Sequence, residues 1–202
     1  MQPSTPTTAD HELVRRLNTA TILDCLRLNT SLSRAGLSAH TGLNRSTVSS
    51  IVSELIDNGL VRETALQKDK VGRPGMALEL DPGGGSAIGV EIGVDQVGVV
   101  LVDFCAQPLW KARHDLPVQA DLDEVLATAE ALVTLALAQA PHLRTRGIGV
   151  AVPGLVDAHA GEVKIAPNLH WHNVPIRERW AERFGLPVFV ENEAKAAALG
   201  EY

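Results

Sequence analysis

Residues 33–58, SRAGLSAHTGLNRSTVSSIVSELIDN, predict two short helices separated by a tight break. Ser33 and Asn44 each precede a helical segment and can cap it, because short polar side chains accept hydrogen bonds from the free N–H groups of a first turn. Between the helices, Thr41-Gly42 interrupts the helical pattern and Leu43 fills the corner. This stretch is therefore expected to fold as a helix-turn-helix.

The second of these helices has one apolar face and one face of small polar residues. Its apolar residues have the i, i+3, i+4, i+7 spacing of a buried stripe, namely Val48, Ile51, Val52 and Leu55. The opposite face and the capping residue suit close approach to base edges and phosphates. The candidate DNA contacts are Asn44, Arg45, Ser46, Thr47, Ser49 and Ser50. An ordinary surface helix pair with a solvated outer face is the alternative.

Residues 61–80 predict a strand, a basic tip and a second strand directly after the helix pair. In the tip, Gly72-Arg73-Pro74 holds an arginine on narrow, extended backbone, which suits the negative potential of a DNA minor groove. Arg73 is therefore a further candidate DNA contact. A basic hairpin tip on its own is often only a solvated turn, but its position after the two helices favours a winged helix-turn-helix.

The segment ahead of the helix pair is expected to support it. Residues 11–28 predict an amphipathic helix, and residues 1–10 are polar and are expected to be a disordered tail. The apolar residues of the predicted helix are Leu13, Val14, Leu17, Ile22, Leu23 and Leu26. We expect them to pack behind the DNA-facing helix.

Charge is unevenly distributed along the chain. The net charge is −6, but residues 1–80 hold nine Lys and Arg against eight Asp and Glu, while residues 81–202 hold nine against sixteen. A near-neutral DNA-binding part can bind DNA even when it is joined to an acidic part, because contacts to phosphate depend on the local charge. A dimer would double the number of these contacts. No apolar run is long enough to cross a membrane, and Cys25 and Cys105 are isolated, so the cytoplasm is the expected location.

A second domain is predicted after a run of helix and strand breakers. Residues 82–85, Pro-Gly-Gly-Gly, predict a linker between a DNA-binding domain at 11–81 and a domain at 86–202. Beyond the linker, apolar β-rich segments alternate with helical ones, which indicates an α/β domain. Strands are predicted at 86–94, 97–104, 108–117, 147–152 and 187–191, and helices at 121–140, at 175–184 and from residue 192 onward.

Four segments together resemble the ROK family, which is named for repressors, open reading frames and sugar kinases. They are the helix-turn-helix with its Gly-Arg-Pro wing, VPGLVD at 152–157, APNLHWHNVPI at 166–176 and ENEAKAAALGE at 191–201. The resemblance extends from about Leu13 to Tyr202. It implies that the second domain is the first lobe of an actin-like, ribonuclease H-like ATPase fold. The second lobe, with the His and Cys ligands of the family's structural zinc, would lie beyond this chain, so no cofactor is expected within it.

The resemblance also places a sugar pocket near Gly154, Asn168, Asn192 and Glu193. Amide and carboxylate groups suit this task because each can satisfy neighbouring hydroxyl groups. Simpler roles are a turn glycine for Gly154, a loop brace for Asn168 and a helix cap for Asn192.

The ATP-binding segment of a ROK kinase is altered in this sequence. The family pattern Asp-x-Gly-x-Thr is replaced by Glu91-Ile92-Gly93-Val94-Asp95, in which only the glycine remains. Asp95 places a carboxylate where a phosphate contact belongs, and like charges at about 4 Å repel by ~1 kcal/mol even in bulk water. Glu193 stands where the kinases have a catalytic Asp, and its longer side chain would position a sugar hydroxyl poorly for general-base catalysis.

The sequence therefore predicts a DNA-binding transcriptional regulator, a repressor of carbohydrate-utilisation genes that a monosaccharide releases from its operator. It is expected to be a homo-oligomer, a dimer or tetramer, when full length, and not an enzyme. One alternative is an ATP-dependent sugar kinase with an appended DNA-binding domain. Another is a truncated protein that binds DNA constitutively.

Overall fold

The computed structural model describes residues 8–29, 31–65, 76–117 and 119–201. The chain divides into two compact units, with the boundary between Gly84 and Gly85. Each unit has its own hydrophobic core.

Within the described residues, the first unit contains three helices and one antiparallel hairpin. The elements are α1 (Thr8–Leu28), α2 (Arg34–Thr41), α3 (Arg45–Asp57), β1 (Val61–Ala65) and β2 (Met76–Leu80). The hairpin pairs in register from Val61 opposite Leu80 to Ala65 opposite Met76. Its predicted tip, including Arg73, lies outside the described residues.

The capping residues predicted for α2 and α3 are confirmed. Ser33 Oγ accepts a hydrogen bond from Gly36 N at 3.1 Å, and Asn44 Oδ1 accepts one from Thr47 N at 2.8 Å. Gly42 ends α2 with a φ of 71°, a left-handed conformation that glycine adopts without steric cost. The turn between the helices is thus fixed by local chemistry at both of its ends.

The core of the first unit forms around α3. All four apolar residues predicted for its inner face are buried, and they pack with Ile22 and Leu26 of α1, Leu37 of α2, and Val61 and Leu78 of the hairpin. These contacts hold α3 with its polar face outward.

Two expectations about α1 are wrong. The helix begins at Thr8, so residues 8–10 are not part of a disordered tail. Leu13, Val14 and Leu17 are 54%, 54% and 59% exposed and do not support α3. A helix of 21 residues is roughly 30 Å long, so its first half extends past a core that Ile22 and Leu26 already reach.

The second unit is an α/β domain with a five-stranded mixed sheet. Its helices are α4 (Leu122–Gln139), α5 (Ile176–Phe184) and α6 (Glu193–Gly200), and its strands are β3 (Ser86–Ile92), β4 (Gln96–Asp103), β5 (Pro108–Asp115), β6 (Thr145–Val152), β7 (Leu155–Asp157), β8 (Glu162–Ala166), β9 (Trp171–Val174) and β10 (Val188–Asn192). The five-stranded sheet has the order β10-β6-β3-β4-β5, in which β10, β6 and β3 are parallel. The remaining strands form a small antiparallel sheet in the order β7-β8-β9.

One face of the large sheet is covered and the other is open in the described part of the chain. Alternate residues such as Ile88, Val90 and Val150 are buried in one core with Val125 and Ala129 of α4. The opposite face is lined by small residues, including Gly89, Gly98, Gly149 and Ala151, and borders a cavity of about 920 Å³. Phe189 lines this cavity and is 64% exposed.

The predicted linker folds into regular structure at the unit boundary. Pro82–Gly84 is a short 3-10 helix, closed by a hydrogen bond from Gly84 N to Asp81 O at 2.9 Å. Gly85 has a φ of 144°, and a Cβ at this position would lie 2.7 Å from Arg144 O. A side chain would therefore not fit at this position, where the backbone just before β3 runs close to Arg144, and glycine is required.

Candidate functional site

The outer face of α3 presents five of the predicted DNA contacts, and we term it the recognition face. It consists of Arg45, Ser46, Thr47, Ser49 and Ser50, which are exposed except for the partly buried Thr47. Arg45 forms no ion pair with another described residue, so its guanidinium group can reach an external acceptor. Groups of this size and kind fit a major groove, because they donate to base edges and phosphates without filling the space.

Asn44 has a different role at the start of the same helix. Its Oδ1 accepts from Thr47 N at 2.8 Å and from Ser46 Oγ at 2.7 Å. The oxygen of Asn44 is therefore committed to the helix cap, while its amide N–H groups can still donate outward.

A residue that the sequence did not reveal borders the recognition face. Arg15 of α1 forms an ion pair with Glu54, and its Nη2 lies 3.4 Å from Ser50 Oγ. Glu54 follows Ser50 by four residues, so the two share a helix face. The contact joins residues 39 apart in the chain, and local spacing gives no signal for it.

The hairpin base is braced by polar contacts. Arg62 Nη2 lies 3.4 Å from Glu79 Oε2, and Thr64 Oγ1 donates to Glu79 Oε1 at 3.2 Å across the two strands. Leu78 N donates to Leu32 O at 2.8 Å, which ties the hairpin to the segment before α2. Arg73, predicted at the tip, stays a prediction because it lies outside the described residues.

The second cluster of predicted site residues lies where the parallel strands of the large sheet end. Gly154 follows β6, Asn192 ends β10, and Glu193 begins α6, and we term these three residues the ligand end of the sheet. The carboxyl ends of parallel strands are where open α/β sheets bind ligands. Asn168 lies in a 3-10 turn between β8 and β9 and is exposed.

Asn192 joins two parts of the ligand end. Its Nδ2 donates to Gly154 O at 2.8 Å, and its Oδ1 accepts from Ala194 N at 3.0 Å and Lys195 N at 3.2 Å. The side chain is therefore the cap of α6 and also a tie to the turn after β6. Its oxygen and one of its two amide N–H groups are used within the chain.

Gly154 is held where no other residue fits. Its φ is 116°, and a Cβ would lie 2.4 Å from Ile165 O and 2.8 Å from the Cα of Ala166. Ala166 lies two residues before Asn168, so the turn that carries Asn168 begins close to Gly154. The structure thus joins Gly154 to Asn192 by a direct bond.

The turn after β3 carries the segment Glu91–Asp95, for which the sequence predicts an altered phosphate motif. Gly93 N donates to Gln96 O at 2.8 Å, and the side chains of Glu91 and Asp95 are exposed. The glycine N–H is therefore used within the hairpin, and carboxylates flank it on both sides.

No cation-binding cluster occurs in the described part of the chain, since three or more His, Cys, Asp or Glu side chains do not come together there. None of the helices described is both long and apolar enough to cross a membrane.

Each of the two units matches a known protein family or domain. Residues 87–202 match the ROK family, and residues 17–65 match the IclR helix-turn-helix domain. The chain belongs to the ROK family. The predicted fold is confirmed, as helix-turn-helix helices are followed by a mixed sheet of the kind found in ROK proteins.

Individual ROK proteins match different shares of this chain. The xylose repressor of Caldicellulosiruptor bescii is 34% identical over 194 residues, which cover 95% of this chain and 49% of that protein. A ROK family transcriptional regulator homologous to the E. coli MLC protein has a TM-score of 0.76 at 26% identity, over 93% of this chain and 48% of that one. A ROK family glucokinase from Streptomyces griseus, solved with glucose and AMPPNP, has a TM-score of 0.50 at 31% identity, over 58% of this chain and 36% of that one. The chain spans about half the length of the curated relatives that it matches.

Proposed function

We propose that this chain is the operator-binding part, with the first lobe of the sugar-sensing part, of a ROK transcriptional repressor of carbohydrate-utilisation genes. The observation that carries the proposal is the recognition face. It combines exposed hydroxyl groups with an arginine that forms no ion pair with another described residue, and the packed core behind α3 keeps this face turned outward. The similarity to a xylose repressor along 95% of the chain supports the same conclusion.

The recognition face would lie in a major groove, with Arg45, Ser46, Thr47, Ser49 and Ser50 contacting bases and phosphates. Asn44 would donate from its free amide hydrogens, and Arg73 would reach the neighbouring minor groove. Two copies of the chain would read two half-sites separated by whole turns of DNA, so the regulator would act as a homodimer or a dimer of dimers.

The ligand end would bind a monosaccharide together with Asn168. Glu193 and Asn168 are exposed and can meet sugar hydroxyls directly, while Asn192 would act chiefly by fixing the turn at Gly154. A sugar that binds more tightly to the DNA-free state would shift the population toward that state and so release the operator. A pentose is the first ligand to test, because the relative from Caldicellulosiruptor bescii is a xylose repressor.

Kinase activity is not part of the proposal, although one ROK relative is a glucokinase. Phosphate binding in a hairpin needs free N–H groups and no nearby anion. Here Gly93 N is bonded to Gln96 O, and Glu91 and Asp95 flank it. We expect no sugar-dependent ATP turnover in a coupled assay, and turnover at the rate of a ROK kinase would refute this part of the proposal.

The test is fluorescence anisotropy with DNA from the intergenic region upstream of the gene, in the presence and absence of single monosaccharides. Arg45→Ala is expected to weaken binding by about 1–3 kcal/mol, whereas Arg113→Ala, an exposed arginine of the second unit, should leave binding unchanged. Equal loss in both variants would indicate that total charge and not the recognition face governs binding. Specific binding that no sugar alters would place sensing outside this chain.

A further inference from the structure

Glu54 is a carboxylate at the edge of a surface proposed to face DNA. It is 55% exposed and lies one helical turn beyond Ser50 on the same side of α3. Glu54 lies nine positions after Arg45, a distance of roughly 14 Å along the helix, which is close to the ~12 Å width of a major groove. A helix that inserts its first turns into the groove would therefore bring Glu54 near the phosphates of the groove wall.

The first unit has little charge with which to offset such a carboxylate. Residues 1–80 hold nine basic against eight acidic side chains, and α3 itself carries Arg45 against Glu54 and Asp57. The negative charge of one unpaired carboxylate at the DNA surface would consequently cancel a large part of the small positive charge that attracts phosphate.

Arg15 meets this carboxylate from a different helix. Its guanidinium group pairs with Glu54 and reaches to within 3.4 Å of Ser50 Oγ, and it remains 47% exposed itself. An ion pair this exposed contributes little to folding stability, so stability alone does not account for it. The arrangement instead neutralises the far end of the recognition face and holds the Ser50 hydroxyl group in place.

We propose that Arg15 is a positioning residue for DNA binding, which acts by pairing with Glu54 and cancelling its repulsion of the phosphates. The inference rests on the proposed DNA-binding function. It differs from direct phosphate binding by Arg15, because in our proposal Arg15 matters only while Glu54 is charged.

The test is a double-mutant cycle of near-isosteric changes, Arg15→Gln, Glu54→Gln and both together. Affinity is measured for a duplex that the wild-type chain selects from a random-sequence pool, over a series of salt concentrations. Arg15→Lys tests whether charge alone rescues binding. A matched control cycle uses Asp24→Asn and Arg27→Gln, an ion pair of similar exposure with a 3.9 Å separation that lies within α1.

Arg15→Gln is expected to weaken binding about threefold to tenfold at low salt, the scale of one unpaired charge facing phosphates across an exposed surface. Glu54→Gln should bind as tightly as wild type or more tightly, and the double variant should return to within about twofold of wild type, as expected for a strongly coupled pair. The loss in Arg15→Gln should shrink as salt rises, and Arg15→Lys should retain most of the affinity. The control cycle should show no coupling.

A double variant as weak as Arg15→Gln would overturn the inference, because Arg15 would then contact DNA itself. Equal coupling in the control cycle would also overturn it, since net charge would explain both. A loss in Arg15→Gln that salt does not alter, together with a lower unfolding temperature, would assign Arg15 a purely structural role. If the wild-type chain selects no sequence at all, the proposed DNA-binding function fails and this inference fails with it.

Discussion

The recognition face of α3 and the ligand end of the second-unit sheet both carry candidate binding groups, but those groups are held differently. Arg45 and Ser49 have no side-chain partner among the described residues, and the helix that carries them is secured by apolar residues on its other side. At the ligand end, the side chain of Asn192 and the backbone of Gly154 hold the local fold together through their hydrogen bond. The same two residues are candidates for ligand binding. Substitutions on the first surface should therefore alter binding alone, and substitutions at the second should alter stability first.

Fluorescence can separate these two effects. All three tryptophans, Trp110, Trp171 and Trp180, belong to the second unit. Intrinsic tryptophan emission during urea unfolding thus reports the unit that carries the ligand end, while DNA anisotropy reports the unit that carries the recognition face.

The largest expected effect is that of Gly154→Ala. A Cβ at this position would lie 2.4 Å from Ile165 O, and the φ of 116° is unfavourable for any other residue. We expect the free energy of unfolding of the second unit to fall by about 3 kcal/mol or more. The control is Gly185→Ala, where φ is 64° and, apart from its chain neighbours, no described residue has an atom within 4 Å of the added Cβ, so only about 1 kcal/mol should be lost. Equal losses at the two glycines would show that the close approach at Gly154 relaxes easily.

Asn192→Ala should have the next largest effect. The change removes the cap of α6 and the bond to Gly154 O, and it should cost about 1–2 kcal/mol in urea unfolding followed by tryptophan emission. Asn192→Asp keeps an oxygen to cap α6 but loses the donor to Gly154, so its stability should lie between those of Ala and wild type. If Asn192→Ala abolishes sugar binding while leaving stability unchanged, the contrast between the two surfaces is wrong at this residue.

The local part of this organisation could be predicted from the sequence. The caps Ser33 and Asn44, the stripe on α3 and the strands of the large sheet follow from residue types at fixed short spacings. The cap at Asn192 was foreseeable in the same way, as an alternative to a ligand contact. Its second bond, to Gly154, joins residues 38 apart and depends on β6 and β10 lying side by side.

The unpredicted features are those that tertiary contacts create. β7, β8 and β9 have three to five residues each, too few for a clear alternation of apolar and polar positions, and the sequence predicts no strand between residues 152 and 175. Arg177 fastens the turn after β7 by donating to Ala158 O at 2.7 Å and to Val188 O at 2.9 Å. The placement of neighbouring elements likewise decides which half of α1 packs on the core and which side chain of α1 pairs with Glu54.

Asp157, at the end of β7, is expected to have a smaller effect on the stability of the second unit, and this effect should depend on pH. A hydrogen bond from Ala160 N, with a further bond from His159 N and nearby positive charge, holds the pKa of Asp157 below its usual value, although partial burial acts in the opposite direction. A carboxyl group with a lowered pKa in the folded state stabilises the fold above its unfolded pKa of about 3.9, and it loses that contribution as pH falls through its folded value.

The second unit of the wild type should therefore lose stability in acid relative to Asp157→Asn, which cannot titrate. Urea unfolding at pH values from neutral to strongly acidic, followed by tryptophan emission, measures the difference between the two proteins. The two stability curves should converge as pH falls. A constant difference at every pH would show that ionisation of Asp157 does not stabilise this turn.

The smallest expected change in stability, and the clearest change in binding alone, is that of Ser49→Ala. Ser49 is exposed on the recognition face, so its loss should alter the free energy of unfolding by no more than about 0.5 kcal/mol. If its hydroxyl group contacts a base or phosphate, operator affinity should nevertheless fall by about 1 kcal/mol. Ser53→Ala is the matched control, because Ser53 is equally an exposed serine of α3 but lies one turn farther from the start of the helix. A loss of operator affinity in Ser49→Ala with none in Ser53→Ala would locate the end of the DNA-contacting surface between these two serines. Equal losses of affinity would extend that surface along α3 toward Glu54, so that it would include the ion pair between Arg15 and Glu54.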